Sequence, residues 1–388
     1  MAMAVFNDDE IDQEAFALLK AELKERRSAE KLQNKQNRPT AIKTSSKIHW
    51  ALVAFNIVAG VVIELLALIL MFAFGIGEDG SSILDNPYVI WGLQIFGMYL
   101  IAFPLFIKQT SKFESSTTPK SRLKFGEMIG ILFVAEAAMK LGNMLAVLIS
   151  ELVYQNFGID LSGGNLGDSE LVFETPMWLL LFVTVICAPI VEEIMFRKIL
   201  IDKLSPYGDK MAIAISAITF GLFHGNFIQL VYTTMFGFIV ATVYVKTRRI
   251  GYCIGYHMLV NLSGTLPSLL LDEGYITEEL LVVIYFVPAI IGLIFLVAFR
   301  KKGVLSCYNK DPKDQDDYRI PINNNYCEKP IGAYGRARVG FFNAGAITFY
   351  LLMILSILVM IVPIDQILPP EYLPEQVTEA FALLAKTL

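Results

Sequence analysis

Long apolar blocks divide this chain, and the cations fall between them in a strict order. Nine stretches stand out, at about 48–76, 87–107, 125–153, 177–197, 211–228, 228–247, 250–271, 279–299 and 341–363. Most reach the roughly 20 residues needed to cross a hydrocarbon core of about 30 Å. Lipid offers a backbone no hydrogen-bond partner, so blocks of this kind are expected to be helices. The alternating pattern of a transmembrane β-barrel is absent. The expected fold is all-α, a polytopic transmembrane helix bundle of about nine spans (eight to nine). Composition agrees: 55% of residues are hydrophobic and 18% charged, whereas soluble domains lie near 45–50% and about 25%.

The basic residues orient the bundle. Nine Lys or Arg lie between Lys20 and Lys47, before the first stretch, and none between Gly77 and Asn86. Five follow between Lys108 and Lys124, and none from Leu152 to Pro176. Arg197, Lys198, Lys203 and Lys210 come next, and the turn after His224 has none. Lys246, Arg248 and Arg249 then precede an uncharged-by-cation stretch, Thr265 to Glu278, and nine more lie from Arg300 to Gly340. The alternation stays in phase only if the fifth and sixth stretches divide near Gly225-Asn226. It places the N-terminus in the cytoplasm and the C-terminus outside.

Five regions follow. Residues 1–47 form a charged cytoplasmic segment whose 8–36 portion reads as a solvated helix with Glu22, Arg26 and Arg27, open to an unidentified partner. They contain no apolar core of a secretory signal. Residues 48–124 hold the first two membrane helices and a basic loop, and 125–299 the central helices. Residues 300–340 read as a polar cytoplasmic loop. Residues 341–388 hold the last span and an extracytoplasmic tail with Pro363, Pro369, Pro370 and Pro374, then an amphipathic run from Val377 to Leu384. The four cysteines, Cys187, Cys253, Cys307 and Cys327, form no CxxC pair and read as free thiols. A net charge of −5 argues against a nucleic-acid partner. The expected partners are the bilayer and a membrane-associated peptide or protein.

Ionisable side chains inside apolar blocks are costly unless paired or functional. Glu193 and Arg197 are four apart on one helix face, in the favourable order for an ion pair. Glu192 points about 100° away and has no partner on its own helix. Phe220 and His224 share a face of the fifth stretch, as do His257 and Asn261 on the seventh. Side chains that hydrogen-bond must turn into the bundle, because lipid cannot partner them. Glu136 and Lys140 are expected to pair, and Glu64, the one acidic residue of the first stretch, is expected to be held by a buried hydrogen bond.

A Glu, two His and an Asn suit amide hydrolysis. A carboxylate can act as general base on water. Imidazoles can share that water or pass a proton to the leaving amine. An Asn amide or a His N–H can donate to an oxyanion. No GxSxG or HExxH occurs. Depth is less uniform. With the fourth helix ending at Arg197, a rise of about 1.5 Å per residue puts Glu192 about 7 Å from the cytoplasmic end. The same rise puts His257 near ~10 Å, Asn261 near ~16 Å and His224 near ~20 Å.

The ordered set EExxxR (Glu192, Glu193, Arg197), FxxxH (Phe220, His224) and HxxxN (His257, Asn261) resembles the CPBP family, the CAAX-protease and bacteriocin-processing membrane proteins also called Abi. The resemblance covers roughly 125–299 and implies a glutamate-dependent intramembrane endopeptidase. By position it implies that Glu192 activates water with His224, and that His257 and Asn261 stabilise the oxyanion. Glu193, Arg197 and Phe220 would support the site. The family has also been described as metal-dependent, and Glu192, His224 and His257 could serve as ligands for zinc or another divalent metal, so no cofactor is fixed. Relatives cut prenylated CAAX tails or serve bacteriocin maturation or self-immunity. The loop style is prokaryotic, which puts the expected location in the prokaryotic cytoplasmic membrane. Two alternatives stay open: a non-catalytic scaffold or immunity protein of the same fold, and a proton-coupled transporter.

Overall fold

A computed structural model describes residues 8–75, 82–113, 115, 120–162, 174–302, 331 and 333–361. Each of the nine apolar stretches is helical over most of its described residues. The helices are α1 (Asp8–Phe74), α2 (Pro87–Thr110), α3 (Phe125–Phe157), α4 (Met177–Tyr207), α5 (Asp209–Phe223), α6 (Phe227–Thr247), α7 (Ile250–Asp272), α8 (Glu278–Lys302), α9 (Ala333–Gly340) and α10 (Ala344–Ile361). Seven of the described helices are long and apolar enough to cross a membrane. The other two apolar stretches are α5, at 15 residues too short, and the less apolar α7. These carry His224, His257 and Asn261. The protein is an integral, multi-pass, all-α membrane protein.

Several boundaries differ from those expected. The N-terminal charged helix and the first apolar stretch are one helix, α1, with Pro39 inside it. The fourth stretch runs ten residues past Arg197, to Tyr207. The end of the expected 300–340 loop is helical: α9 packs on α1 and α5. The tail, its prolines, the Val377–Leu384 run, Cys307 and Cys327 lie outside the described residues. Cys187 and Cys253 are free.

Why α4 continues past Arg197 is visible in its charges. Asp202 accepts from Tyr244 Oη at 2.9 Å, pairs with Arg248 at 3.2 Å and also holds Lys198. Arg248 bonds Asp209 as well, at 3.0 Å. Arg248 caps α6 in the left-handed region (φ 50°), a conformation uncommon outside glycine. Its ion pairs hold it there, so a residue expected to be a loop charge is instead a buried clamp between α4, α5 and α6.

Lipid gives helices little hydrophobic reason to associate, so packing rests on close approach and polar contacts. The helix α6 lies against both α5 and α3, α3 lies against α8, and α1 joins α2 and α10 to the rim. At Gly221 an added Cβ would overlap Thr234 Oγ1 and come 2.8 Å from the Leu230 carbonyl. That contact sets α5 tightly on α6 within a few residues of His224. On the other side, Glu136 and Lys140 pair at 2.9 Å, as their spacing predicts, and Ser263 of α7 donates to Glu136 at 2.6 Å.

Candidate active site

Glu192 lies halfway along α4, fifteen residues from either end, with Glu193 beside it, or about 22 Å at an α-helical rise. His224 follows the last residue of the 15-residue α5, again about 22 Å from its start. The longer α4 thus removes the expected mismatch in depth between Glu192 and His224.

The backbone of α4 is widened by π-helical turns at Phe182–Cys187 and Ile194–Ile201, on either side of the two glutamates. Such turns recur at functional sites. Pro189 supplies a local cause, because it has no N–H to give the turn before it. The Ala188 N–H bonds the Val183 carbonyl, one residue further back than in an α-helix. With no donor on Pro189, the Thr184 carbonyl is open, and the Asn261 amide donates to it at 2.8 Å. One proline therefore explains both the widened turn and the anchoring of Asn261.

Glu193 is fully buried and serves two partners. Its Oε2 lies 3.1 Å from Arg197 Nε, as the spacing predicts, and its Oε1 lies 2.9 Å from His257 Nδ1. A carboxylate at Nδ1 assigns the proton to that nitrogen. His257 Nε2 then faces Glu192, 3.8 Å from its Oε2. The glutamate with no partner on its own helix thus meets one from α7. His224 repeats the arrangement: Nδ1–H donates to the Phe220 carbonyl at 2.8 Å, leaving Nε2 as an acceptor.

Phe220 is the spacer among these groups. Its ring is fully buried, 4.1 Å below the Arg197 guanidinium, 4.9 Å from the His224 ring and 5.7 Å from the His257 ring. The Phe236 ring of α6 also packs on His257, tilted against it at 5.1 Å. Nothing in the sequence singled out Phe236 among 27 phenylalanines. The structure therefore gathers Glu192, Glu193, Arg197, Phe220, His224 and His257, with Asn261 one turn along α7.

The imidazole nitrogens and Glu192 have the right donor chemistry for zinc, and each Nδ1 is oriented as metal-binding histidines commonly are. As they stand, however, no three His, Cys, Asp or Glu among the described residues are drawn together closely enough to hold an ion.

Fold and site define a polytopic helical membrane protein with a buried Glu-His-Asn centre. Residues 174–263, which span that centre, match the family model of Rce1-like type II CAAX prenyl endopeptidases. A Bacillus subtilis (strain 168) protein, YdiL, named for a membrane peptidase, is 27% identical over 222 residues, covering 55% of this chain and 87% of YdiL. No solved structure matches the chain significantly. Over its central helices the chain is thus similar to the CAAX-protease family, and it is a membrane-peptidase-like protein.

Proposed function

We propose that this protein is an intramembrane endopeptidase that hydrolyses a peptide bond with Glu192 as general base. The observation that carries this reading is the 3.8 Å approach of Glu192 Oε2 to His257 Nε2, while Glu193 holds the opposite nitrogen of the same ring. A purely structural carboxylate would be expected to take the closer, fully buried place that Glu193 occupies between Arg197 and His257.

Glu192 accepts a proton from water, and the oxygen attacks the scissile carbonyl. His224, with its Nε2 lone pair directed away from Phe220, shares that proton. The carbonyl π electrons move onto oxygen, which accepts hydrogen bonds from the second Asn261 N–H and from His257 Nε2–H, the ring acting in this step as an imidazolium with Glu193 opposite its Nδ1–H. Collapse expels the amine, which takes a proton from Glu192 or His224. General acid–base assistance contributes about 10²–10⁴-fold, and each oxyanion donor about 10²–10³-fold. Arg197 and Glu193 hold the ring that faces the reaction.

The substrate is proposed to be a membrane-associated protein or peptide, in a prokaryotic cytoplasmic membrane, with bacteriocin maturation or self-immunity as settings in keeping with the family. The test is proteolysis by the purified full-length protein in liposomes, on paired prenylated and unprenylated peptides. Cleavage lost in both Glu192→Ala and His224→Ala supports the reading, and the preferred peptide defines the substrate. Equal cleavage by Glu192→Ala and the parent protein would sink it and favour a non-catalytic scaffold.

A further inference from the structure

Away from the site, α1, α9 and the start of α10 enclose a cavity of about 1040 Å³ whose charged lining is entirely cationic: Lys31, Lys35, Arg38, Lys43, Lys47 and Arg338. Among the described residues, Lys43, Lys47 and Arg338 take part in no ion pair. Positive-inside topology accounts for cations before a span. It accounts equally for Arg338 before α10, but not for Arg338 meeting Lys43 and Lys47, nearly 300 residues earlier in the chain, in one concave wall.

The wall is held in place. The Gly345 N–H bonds Ser46 Oγ at 3.0 Å, and a Cβ at Gly345 would overlap the Ser46 carbonyl, so α10 sits directly on α1. Asn343, also in the lining, is fixed by donating to the Val339 carbonyl at 2.7 Å and accepting from Ala346 N at 2.9 Å. Like charges held in a rigid concavity repel one another, and an anion relieves that repulsion.

What lies beside the groove identifies the anion. Lys43 and Lys47 continue along α1, at helical spacing, into Trp50, Ile57, Val61 and Leu65, all exposed apolar side chains. Phe342 lines the opposite wall and is 64% exposed. A cationic pocket that opens onto an apolar stripe of a membrane helix matches an amphiphile with an anionic head. Trp at such a level is a usual interfacial anchor. We propose that this groove binds an anionic phospholipid, with its phosphate among Lys43, Lys47 and Arg338 and its acyl chains along Trp50, Ile57 and Val61. Juxtamembrane clusters of four to eight Lys or Arg are known to recruit anionic lipid.

The test uses the full-length protein in neutral detergent, titrated with dioctanoyl phosphatidylglycerol, dioctanoyl phosphatidylcholine or free glycerol 3-phosphate, and followed by thermal unfolding. Saturable stabilisation by phosphatidylglycerol alone is expected. In Lys43→Gln/Lys47→Gln/Arg338→Gln the midpoint should move about tenfold or more to higher lipid. Lys43→Arg/Lys47→Arg should keep the parent midpoint, which separates lost charge from lost fold. Equal stabilisation by phosphatidylcholine, or an unmoved midpoint in the triple Gln variant, would overturn the proposal. Equal stabilisation by glycerol 3-phosphate would overturn the lipid assignment in favour of a soluble phosphate site.

Discussion

His257 Nδ1 and Glu193 Oε1 lie 2.9 Å apart, on helices 64 residues apart in the chain, and both side chains are buried. This bond fixes the ring that faces Glu192. Glu193 also holds Arg197, so its removal strands a buried cation. Removing one partner of a buried pair costs about 3–5 kcal/mol. Glu193→Ala should therefore lower thermal stability strongly. Glu193→Gln keeps an acceptor for His257 but loses the charge opposite Arg197. It is expected to fold with a smaller loss and to show reduced turnover. A Glu193→Ala protein as stable as its parent would contradict the pairing.

Glu192 should behave differently. Its exposure is greater than that of Glu193, and no second cation depends on it. Glu192→Gln should leave the unfolding temperature nearly unchanged while hydrolysis falls at least about 10²-fold. The decisive comparison is the ratio of the two effects in Glu192→Gln and Glu193→Gln, measured on the same peptide. Equal stability losses in both would erase the distinction between a reacting carboxylate and a bracing one.

Interactions within one helix were open to sequence reasoning; those between helices were not. Glu193–Arg197 and Glu136–Lys140 follow from a four-residue spacing, and both form. The facing positions of His257 and Asn261 on α7 were equally legible. The Glu193–His257 bond was not, because spacing on one helix says nothing of its neighbour's rotation. Asp202 and Arg248 were hidden for a related reason: a charge at a span's end reads as a topology signal until its partner is in place. The role of His49 is likewise hidden in the sequence. It is fully buried, with Nδ1 2.8 Å from the Ser45 carbonyl and Nε2 3.4 Å from Tyr350 Oη. A Ser four residues before it was the available signal. The extent of α4 is not legible in the sequence because Arg197 and Lys198 look like a membrane boundary, whereas one is buried in the site and the other pairs along the helix.

Arg197 makes a further test of shape against charge. Its guanidinium lies 4.1 Å from the centre of the Phe220 ring, which also meets both histidines. Arginine stacks on an aromatic face as a plane, and lysine does not. Arg197→Lys should keep the charge beside Glu193 but lose the stacking, worth up to about 2 kcal/mol when desolvated. The expected result is a measurable fall in unfolding temperature together with reduced turnover. A Lys variant indistinguishable from the parent in both would show that charge alone holds Phe220 in place.

Close packing at Gly221 predicts a steric effect on the same site. A Cβ there would collide with Thr234 Oγ1 and press on the Leu230 carbonyl. Overpacking of this kind typically costs about 1–3 kcal/mol. Gly221→Ala should destabilise the protein and disturb His224, three residues away. Adding Thr234→Ala removes the nearer obstacle, so the double variant should recover part of the loss. Additive losses would mean that the backbone contact dominates.

Pro189 offers the sharpest test of how Asn261 is held. Its missing N–H leaves the Thr184 carbonyl to the Asn261 amide. Pro189→Ala supplies a new backbone donor that competes for that carbonyl and lets the widened turn tighten toward an α-helix. Removing an interior proline ordinarily favours a helix, so the unfolding temperature should hold or rise. If Asn261 donates to the oxyanion, losing its anchor should nonetheless lower turnover, by up to about 10²-fold, with little change in substrate affinity. Asn261→Ala should show a similar loss, and the double variant little more than either alone, because both changes remove the same positioned donor. A Pro189→Ala protein with full activity would separate the proline from Asn261 and leave the widened turn as a packing feature of α4.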